Sequence, residues 1–361
     1  MSDSPHKPIS LQPAIDGQLS PSERTALYQR FMETEQAEIL SRHREGAGGL
    51  EIAEARSELI DKLIATILEA TVNSQDIPSS PLALVAIGGY GRATLNPASD
   101  IDLLFLLPRA STKLPKHVQD IVQRVLYVLW DMGFKVGQSC RSVAECIEEA
   151  RADQQNFTAL MDTRLIAGND ELYQSFLVSF DKNCIAKGHD AFLENRRQDL
   201  RSRYAKSSHT VFLQEPNVKE SCGGLRDYQN ILWVARVKTG SSDLQKLVDD
   251  RLITANTMRE IEEAYDFLLR VRNELHYHAG KSTDILTLQL QGVVATAFNY
   301  PERSILRRTE AFMRDYYRHT RHLYRHTNSL METFEIQQKE VAETGLRSFL
   351  TFRKKSREEF D

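Results

Sequence analysis

Two aspartates one residue apart, at the head of an apolar run and just after a glycine-rich turn, constrain this chain more than any other feature. Residues 84–107 give an apolar segment (Leu84 to Ile87), then Gly88-Gly89-Tyr90-Gly91-Arg92, then Ser99-Asp100-Ile101-Asp102 running into Leu103-Leu104-Phe105-Leu106-Leu107. The order predicts strand, turn, strand. Side chains alternate along a strand, so Asp100 and Asp102 share one face while Ile101 and Leu103 point to a core. Two carboxylates so placed suit Mg²⁺, a hard cation that takes oxygen ligands and shares them with substrate phosphates. Glycines in the turn let backbone N–H groups come close to phosphate oxygens, and Arg92 adds a fixed positive charge. Two commoner glycine motifs fail. Thr94 stands where a dinucleotide fold needs its third glycine, and the chain has no Gly-Lys-Ser/Thr tripeptide of a P-loop. A plain hairpin with solvent-facing aspartates would leave the glycines and Arg92 without a reason. The pattern therefore points to metal-dependent nucleotidyl transfer.

Composition narrows the setting. The 361 residues carry 46 Lys and Arg against 50 Asp and Glu, a formal charge of −4. That balance leaves no overall nucleic-acid footprint, so no DNA or RNA partner is expected and phosphate binding has to be local. Four cysteines (Cys140, Cys146, Cys184, Cys222) have neither disulfide-scaffold density nor zinc-site spacing, which suits a reduced, cytoplasmic setting. The apolar runs are far shorter than the roughly 20 residues needed to span a bilayer, and the N-terminus lacks a secretory pattern, so no membrane is expected.

Periodicity supplies the rest of the architecture. Residues 1–25, proline- and serine-rich, are expected to be a disordered tail. Helical spacing from 26 to about 72 is broken at Gly46-Ala47-Gly48-Gly49. Beyond the hairpin, 116–132 reads as an amphipathic helix, 134–141 as a third strand, 143–151 as a helix and 157–167 as a further strand. From 170 to about 335 nearly every segment is helical, including 257–278 with Ile261, Tyr265, Leu268, Val271 and Leu275 on one stripe. The expected fold class is α+β: a small mixed sheet with helices, followed by an all-helical domain.

A third carboxylate normally completes such a site, and Asp162 is the candidate, because an acid among Leu160, Met161, Leu165 and Ile166 is costly unless paired or metal-bound. Its alternative is an ion pair with Arg164. The segment 214–227 is a glycine-broken loop leading into a helix, and its Lys219 and Arg226 could reach phosphates over Gly223-Gly224. Helix capping by Asp227 is the competing account. Arg314, Arg318, Arg321 and Arg325 form a cationic helical stripe with His319, His322 and His326 beside it, either a solvated face or a docking surface. His189-Asp190 and the Arg270/His276 pair imitate hydrolase motifs, but flanking ligands are missing and structural roles fit both better.

These motifs together resemble the transferase region of the bifunctional uridylyltransferase/uridylyl-removing enzymes of the PII nitrogen regulator, in the DNA-polymerase-β-like nucleotidyltransferase superfamily. Besides Gly-Gly-Tyr-Gly-Arg and Ser-Asp-Ile-Asp-Leu-Leu, similar stretches are Leu129 to Ser142 (with Gln138 where the family usually has His), Glu215 to Asp227, and Met313 to His319. They occur in family order between about Gly48 and Thr333. Met161 to Leu165 is also similar to the D-x-R-L strand of the related adenylyltransferases, whereas uridylyltransferases often carry Glu at the Asp162 position. The resemblance implies transfer of UMP from UTP to a tyrosine of PII with release of pyrophosphate, using Mg²⁺ or alternatively Mn²⁺. Asp100, Asp102 and Asp162 would hold the metal, and Gly88, Gly89, Arg92, Ser99, Lys219 and Arg226 the nucleotide. It implies a nucleotidyltransferase domain at 26–175, a helical uridylyltransferase-associated domain at 176–335 and a charged linker at 336–361. No hydrolase or glutamine-sensing module is expected within the 361 residues, so UMP removal and a direct glutamine response are not expected. Alternatives are a nucleotidyltransferase for another protein and a non-catalytic nucleotide-binding regulator.

Overall fold

The computed structural model describes residues 9–75 and 79–358. A short helix α1 (Gln12–Ile15) leads into two long ones, α2 (Pro21–Glu45) and α3 (Gly49–Asn73). Ser20 caps α2 reciprocally with Glu23, and Gly46 ends it in a left-handed conformation, which explains the break at 46–49. Residues 9–25 are thus not a disordered tail: Leu11 and Ala14 are buried against this helical pair. The remainder of the predicted tail, 1–8, lies outside the described residues.

The sheet contains β1 (Ala83–Ile87), β2 (Ile101–Leu107), β3 (Val136–Ser142) and β4 (Thr163–Gly168) in the order β3-β2-β1-β4. β1 is antiparallel to β2 and β4, whereas β3 runs parallel to β2. The parallel pair requires a crossover, supplied by α5 (Lys116–Asp131). One-turn helix α4 (Gly88–Gly91) replaces the predicted glycine turn. α6 (Val143–Ala152) follows β3. The predicted strand at 157–167 is corrected: residues 154–161 are helix α7 (Gln154–Met161), N-capped by Asp153, and only 163–168 join the sheet. The apolar run Phe157 to Met161 is short enough to suit either element, and the cap decides it.

Both faces of the sheet are covered, so its central strands read as apolar runs. Leu84, Ala86, Leu103, Phe105 and Leu107 pack with α1, α2, α3 and α5. Ala83, Val85, Leu104 and Leu106 join a second cluster that extends through α8 (Asp170–Phe180), α9 (Ala186–Lys206), α10 (Leu225–Thr239), α11 (Leu244–Asp249), α12 (Ala255–Ala279), α13 (Leu288–Ala297) and α14 (Ile305–Glu358). That cluster crosses the expected boundary at 175/176 without interruption. The segment expected as a charged linker instead continues α14 as far as Glu358. No helix among the described residues is long and apolar enough to cross a membrane.

Candidate active site

β1 delivers the chain to α4 at the edge where β2 begins. The glycines there serve different ends. Gly88 has φ +61°, a left-handed conformation that favours glycine, and a Cβ on Gly91 would sit 1.9 Å from the Asp162 carbonyl oxygen. A Cβ on Gly89 would have room, its nearest contact being the Arg92 guanidinium at 3.7 Å. Tyr90 is buried and donates to Asp61 of α3 at 2.6 Å, while Arg164 pairs with the same Asp61 and donates to the Tyr90 carbonyl. The turn is therefore anchored from behind by α3 and β4. Arg164 pairs with Asp61 and not with Asp162.

Asp100 and Asp102 flank buried Ile101 and are themselves exposed. Asp102 faces Gly137 of β3 in the parallel register, and a Cβ on Gly137 would meet the Asp102 carboxylate at 2.4 Å. Partial burial and the neighbouring Asp100 charge raise the Asp102 carboxyl above its ordinary value, with Lys219 opposing. Two carboxylates that repel each other in this way gain most from a shared cation.

Asp162 takes a different position from the one predicted. It is the C-terminal cap of α7, at the junction with β4 and not within a strand. Its carboxylate pairs with Arg92 and accepts from the Trp233 indole N–H at 2.7 Å. Among the described residues no three His, Cys, Asp or Glu side chains converge as a metal-binding group. In this arrangement the partners of Asp162 are Arg92 and Trp233.

The loop before α10 is a rigid turn. Asp227 is fully buried and binds Arg203, Tyr204 and the Gly223 N–H, each at 2.7 Å. Gly223, with φ +72°, lies so close to Thr320 of α14 that a Cβ would be 1.9 Å from its carbonyl oxygen. This bracing presents Lys219, which forms no ion pair among the described residues. Burial, with Arg272 and Arg226 nearby, lowers its ammonium below the usual lysine value. Arg226 donates to Gln229 and Glu220.

All nine predicted site residues, Gly88, Gly89, Arg92, Ser99, Asp100, Asp102, Asp162, Lys219 and Arg226, line one cavity of about 640 Å³. Sequence reasoning missed others on the same wall: Arg196, Arg203 and Lys206 of α9, Trp233 of α10 and Arg272 of α12. The α9 residues are spaced 7 and 3 apart with Asp199 between, a helical stripe that periodicity alone could have found. Trp233 and Arg272 carry no such local signal.

Two family models match the chain. Residues 34–163, which include the aspartate pair, match nucleotidyltransferase DUF294, and residues 191–331, which include Arg196, Lys219 and Arg226, match GlnD PII-uridylyltransferase. Similar curated proteins are bifunctional uridylyltransferase/uridylyl-removing enzymes. That of Pseudomonas putida is 40% identical over 77% of this chain and 30% of its own length. That of Rhodospirillum rubrum is 35% identical over 78% of this chain and 30% of the relative, and that of Phenylobacterium zucineum 31% identical over 88% and 34%. The chain spans about a third of the length of these relatives, and it matches an N-terminal portion of them.

Proposed function

We propose that this chain, similar to the N-terminal portion of those enzymes, transfers UMP from UTP to a tyrosine hydroxyl of a PII-type regulatory protein. The uridylyl group comes from the relatives' names and the PII substrate from the matching family model; the reaction class has independent support in the cavity. The observation that carries it is the opposition of two unlike charge sets within that one space: the repelling carboxylates of Asp100 and Asp102, and the desolvated, unpaired Lys219 beside Arg226 and Arg272. A nucleoside triphosphate with a divalent ion satisfies both at once. Asp100 and Asp102, hard oxygen donors with Gly137 leaving room for one of them, fit Mg²⁺, or Mn²⁺ in its place. An ion held there would polarise the α-phosphate and offset the charge of the departing pyrophosphate.

The chain's own residues do the remaining work. Gly88, Gly89 and Ser99 border the space next to the aspartates, and Arg92, fixed by Asp162, places a directed positive charge there. Lys219 and Arg226, in the same lining, would offset the negative charge that builds as the bond between the α-phosphorus and the bridging oxygen breaks. The phenolic oxygen of the acceptor bonds to the α-phosphorus, its proton passes to water, and pyrophosphate leaves.

The test is incubation with Mg²⁺, each of the four nucleoside triphosphates and a PII protein, followed by intact-mass measurement. One UMP on PII, with UTP alone and dependent on Mg²⁺, is expected. Asp100→Asn and Asp102→Asn should each abolish it with little change in melting temperature. An adenylyl adduct, or modification of another protein only, would replace the substrate reading. Nucleotide binding with no pyrophosphate release would make the chain a regulator and not a transferase.

A further inference from the structure

Arg196 has no place in the roles above, yet its surroundings are unusual. It is 8% exposed, its Nε is buried without an acceptor, and its guanidinium lies 5.6 Å from the Trp233 ring centre and 5.7 Å from that of Phe192. The only protein hydrogen bond it makes among the described residues is a long one, 3.3 Å, to the half-exposed Asp199. Arg226 sits at the same 5.6 Å from the same indole, and Arg203 and Lys206 continue the α9 stripe along the cavity wall. Like charges gathered on one aromatic ring, with a donor unused, leave an electrostatic deficit that an anion would fill. Burial, aided by Arg226 and Arg203, lowers the Arg196 guanidinium, in keeping with that deficit. Asp199 and Glu220 offset it only from the rim, one carboxylate to each arginine.

We propose that Arg196 and Arg226, held on Trp233, form the seat for the terminal phosphates of the nucleotide. A guanidinium presents a planar fork of N–H donors that matches phosphate oxygens, and stacking on an indole fixes its plane. The seat is wired to the rest of the site, because the same indole donates its N–H to Asp162, which holds Arg92. An anion on the arginines is thereby linked to the orientation of Arg92 beside the glycine turn. This inference rests on the nucleotide-transfer reading.

The chain has two tryptophans, Trp130 and Trp233, and Trp130 is half-exposed on α5, away from the cavity lining. A Trp130→Phe variant therefore leaves Trp233 as the sole indole reporter. Titration of that variant with inorganic tripolyphosphate should produce a saturable change in its emission. Adding Arg196→Met, which keeps length and packing on the ring, should weaken tripolyphosphate and UTP by about 10- to 100-fold, the range for losing a charged hydrogen bond. UMP binding should change less than twofold. Equal weakening of UTP and UMP, or no saturable change in the Trp130→Phe protein, overturns the seat even if transfer is intact. Tripolyphosphate binding that depends on Arg196 in a protein that transfers no nucleotide keeps the seat and removes the transferase reading. Should Arg196→Met fail to fold, the Trp130→Phe titration decides alone.

Discussion

Gly137 shows how one missing side chain shapes the chemistry of another residue. It lies opposite Asp102 in the β2–β3 register, on an exposed stretch of β3, and any Cβ there would press on the carboxylate. Gly137→Ala is expected to weaken Mn²⁺ binding and lower turnover by about tenfold or more, while costing under about 1 kcal/mol of stability, as is usual for exposed substitutions. Calorimetric Mn²⁺ titration and thermal melting check both halves. The raised Asp102 carboxyl adds a pH signature: it must be ionised to hold a cation, so affinity should rise with pH over a range above that of an ordinary aspartate. Asp162→Asn should behave otherwise. It removes the counterion of buried Arg92, so turnover should fall at least tenfold while Mn²⁺ affinity stays within about twofold. A matching loss of Mn²⁺ affinity would instead make Asp162 the third ligand that its sequence neighbours suggest. The aspartate pair was legible because a period of two needs no tertiary information. Asp162 was legible as a costly buried acid, but the partners that satisfy it lie 70 and 71 residues away.

At the scale of elements, the segment 94–99 that feeds Asp100 into β2 has no regular structure and is gripped from two helices. From α3, Ser57 accepts from the Leu95 N–H and Arg56 donates to the Pro97 carbonyl. From α12, Asn273 accepts from Asn96 at 2.6 Å and donates to the Gly49 carbonyl, Arg272 bridges Asn96 and Asp284, and His276 Nδ1 accepts from the Ala98 N–H at 3.2 Å. His276, read from the sequence as structural, and Arg272 thereby help to set the aspartate-bearing strand. Asn273→Ala leaves buried partners unsatisfied and should cost about 1–3 kcal/mol in chemical denaturation. It should also raise the KM for nucleotide, since Ser99 and Asp100 lose their tether. A stability loss without any kinetic effect would show the grip to be irrelevant to the site. On α14 two of the four stripe arginines are met by acids: Arg325, with His326, by Glu260 of α12, and Arg318 by Asp315 of its own helix. A helical period reveals such a stripe but not whether acids from other helices meet it.

Across the whole molecule, buried neutral histidines make the fold sensitive to mild acid. Burial lowers His276, against the pull of Asp284, and burial with Arg318 nearby pushes His319, stacked on Phe267, down to about 4. For a histidine depressed in the folded state, the unfolded chain binds the proton first. The stabilisation is therefore complete above the unfolded value near 6.5 and is lost as pH falls through the folded one. Glu260, depressed chiefly by its bond from His326, acts in the same direction at lower pH. The melting temperature should fall steadily between pH 6.5 and 4, and His319→Phe, which keeps the stacked ring, should flatten that slope. A melting temperature unchanged over this range would contradict it.

What the sequence by itself determined is whatever depends on neighbours a few residues apart. It specified the alternation that places Asp100 and Asp102 on one face, the helical period of α3, α5 and α12, the α+β class, and the motifs shared with the uridylyltransferase relatives. What only the tertiary structure decided is how distant charges are shared: Asp162 to Arg92 and Trp233, Arg164 to Asp61, Asp227 to Arg203, and Arg196 left without a buried acceptor. The physical reason is that the cost of burying a charge depends on which partners the fold brings within hydrogen-bonding reach, and no local pattern encodes that.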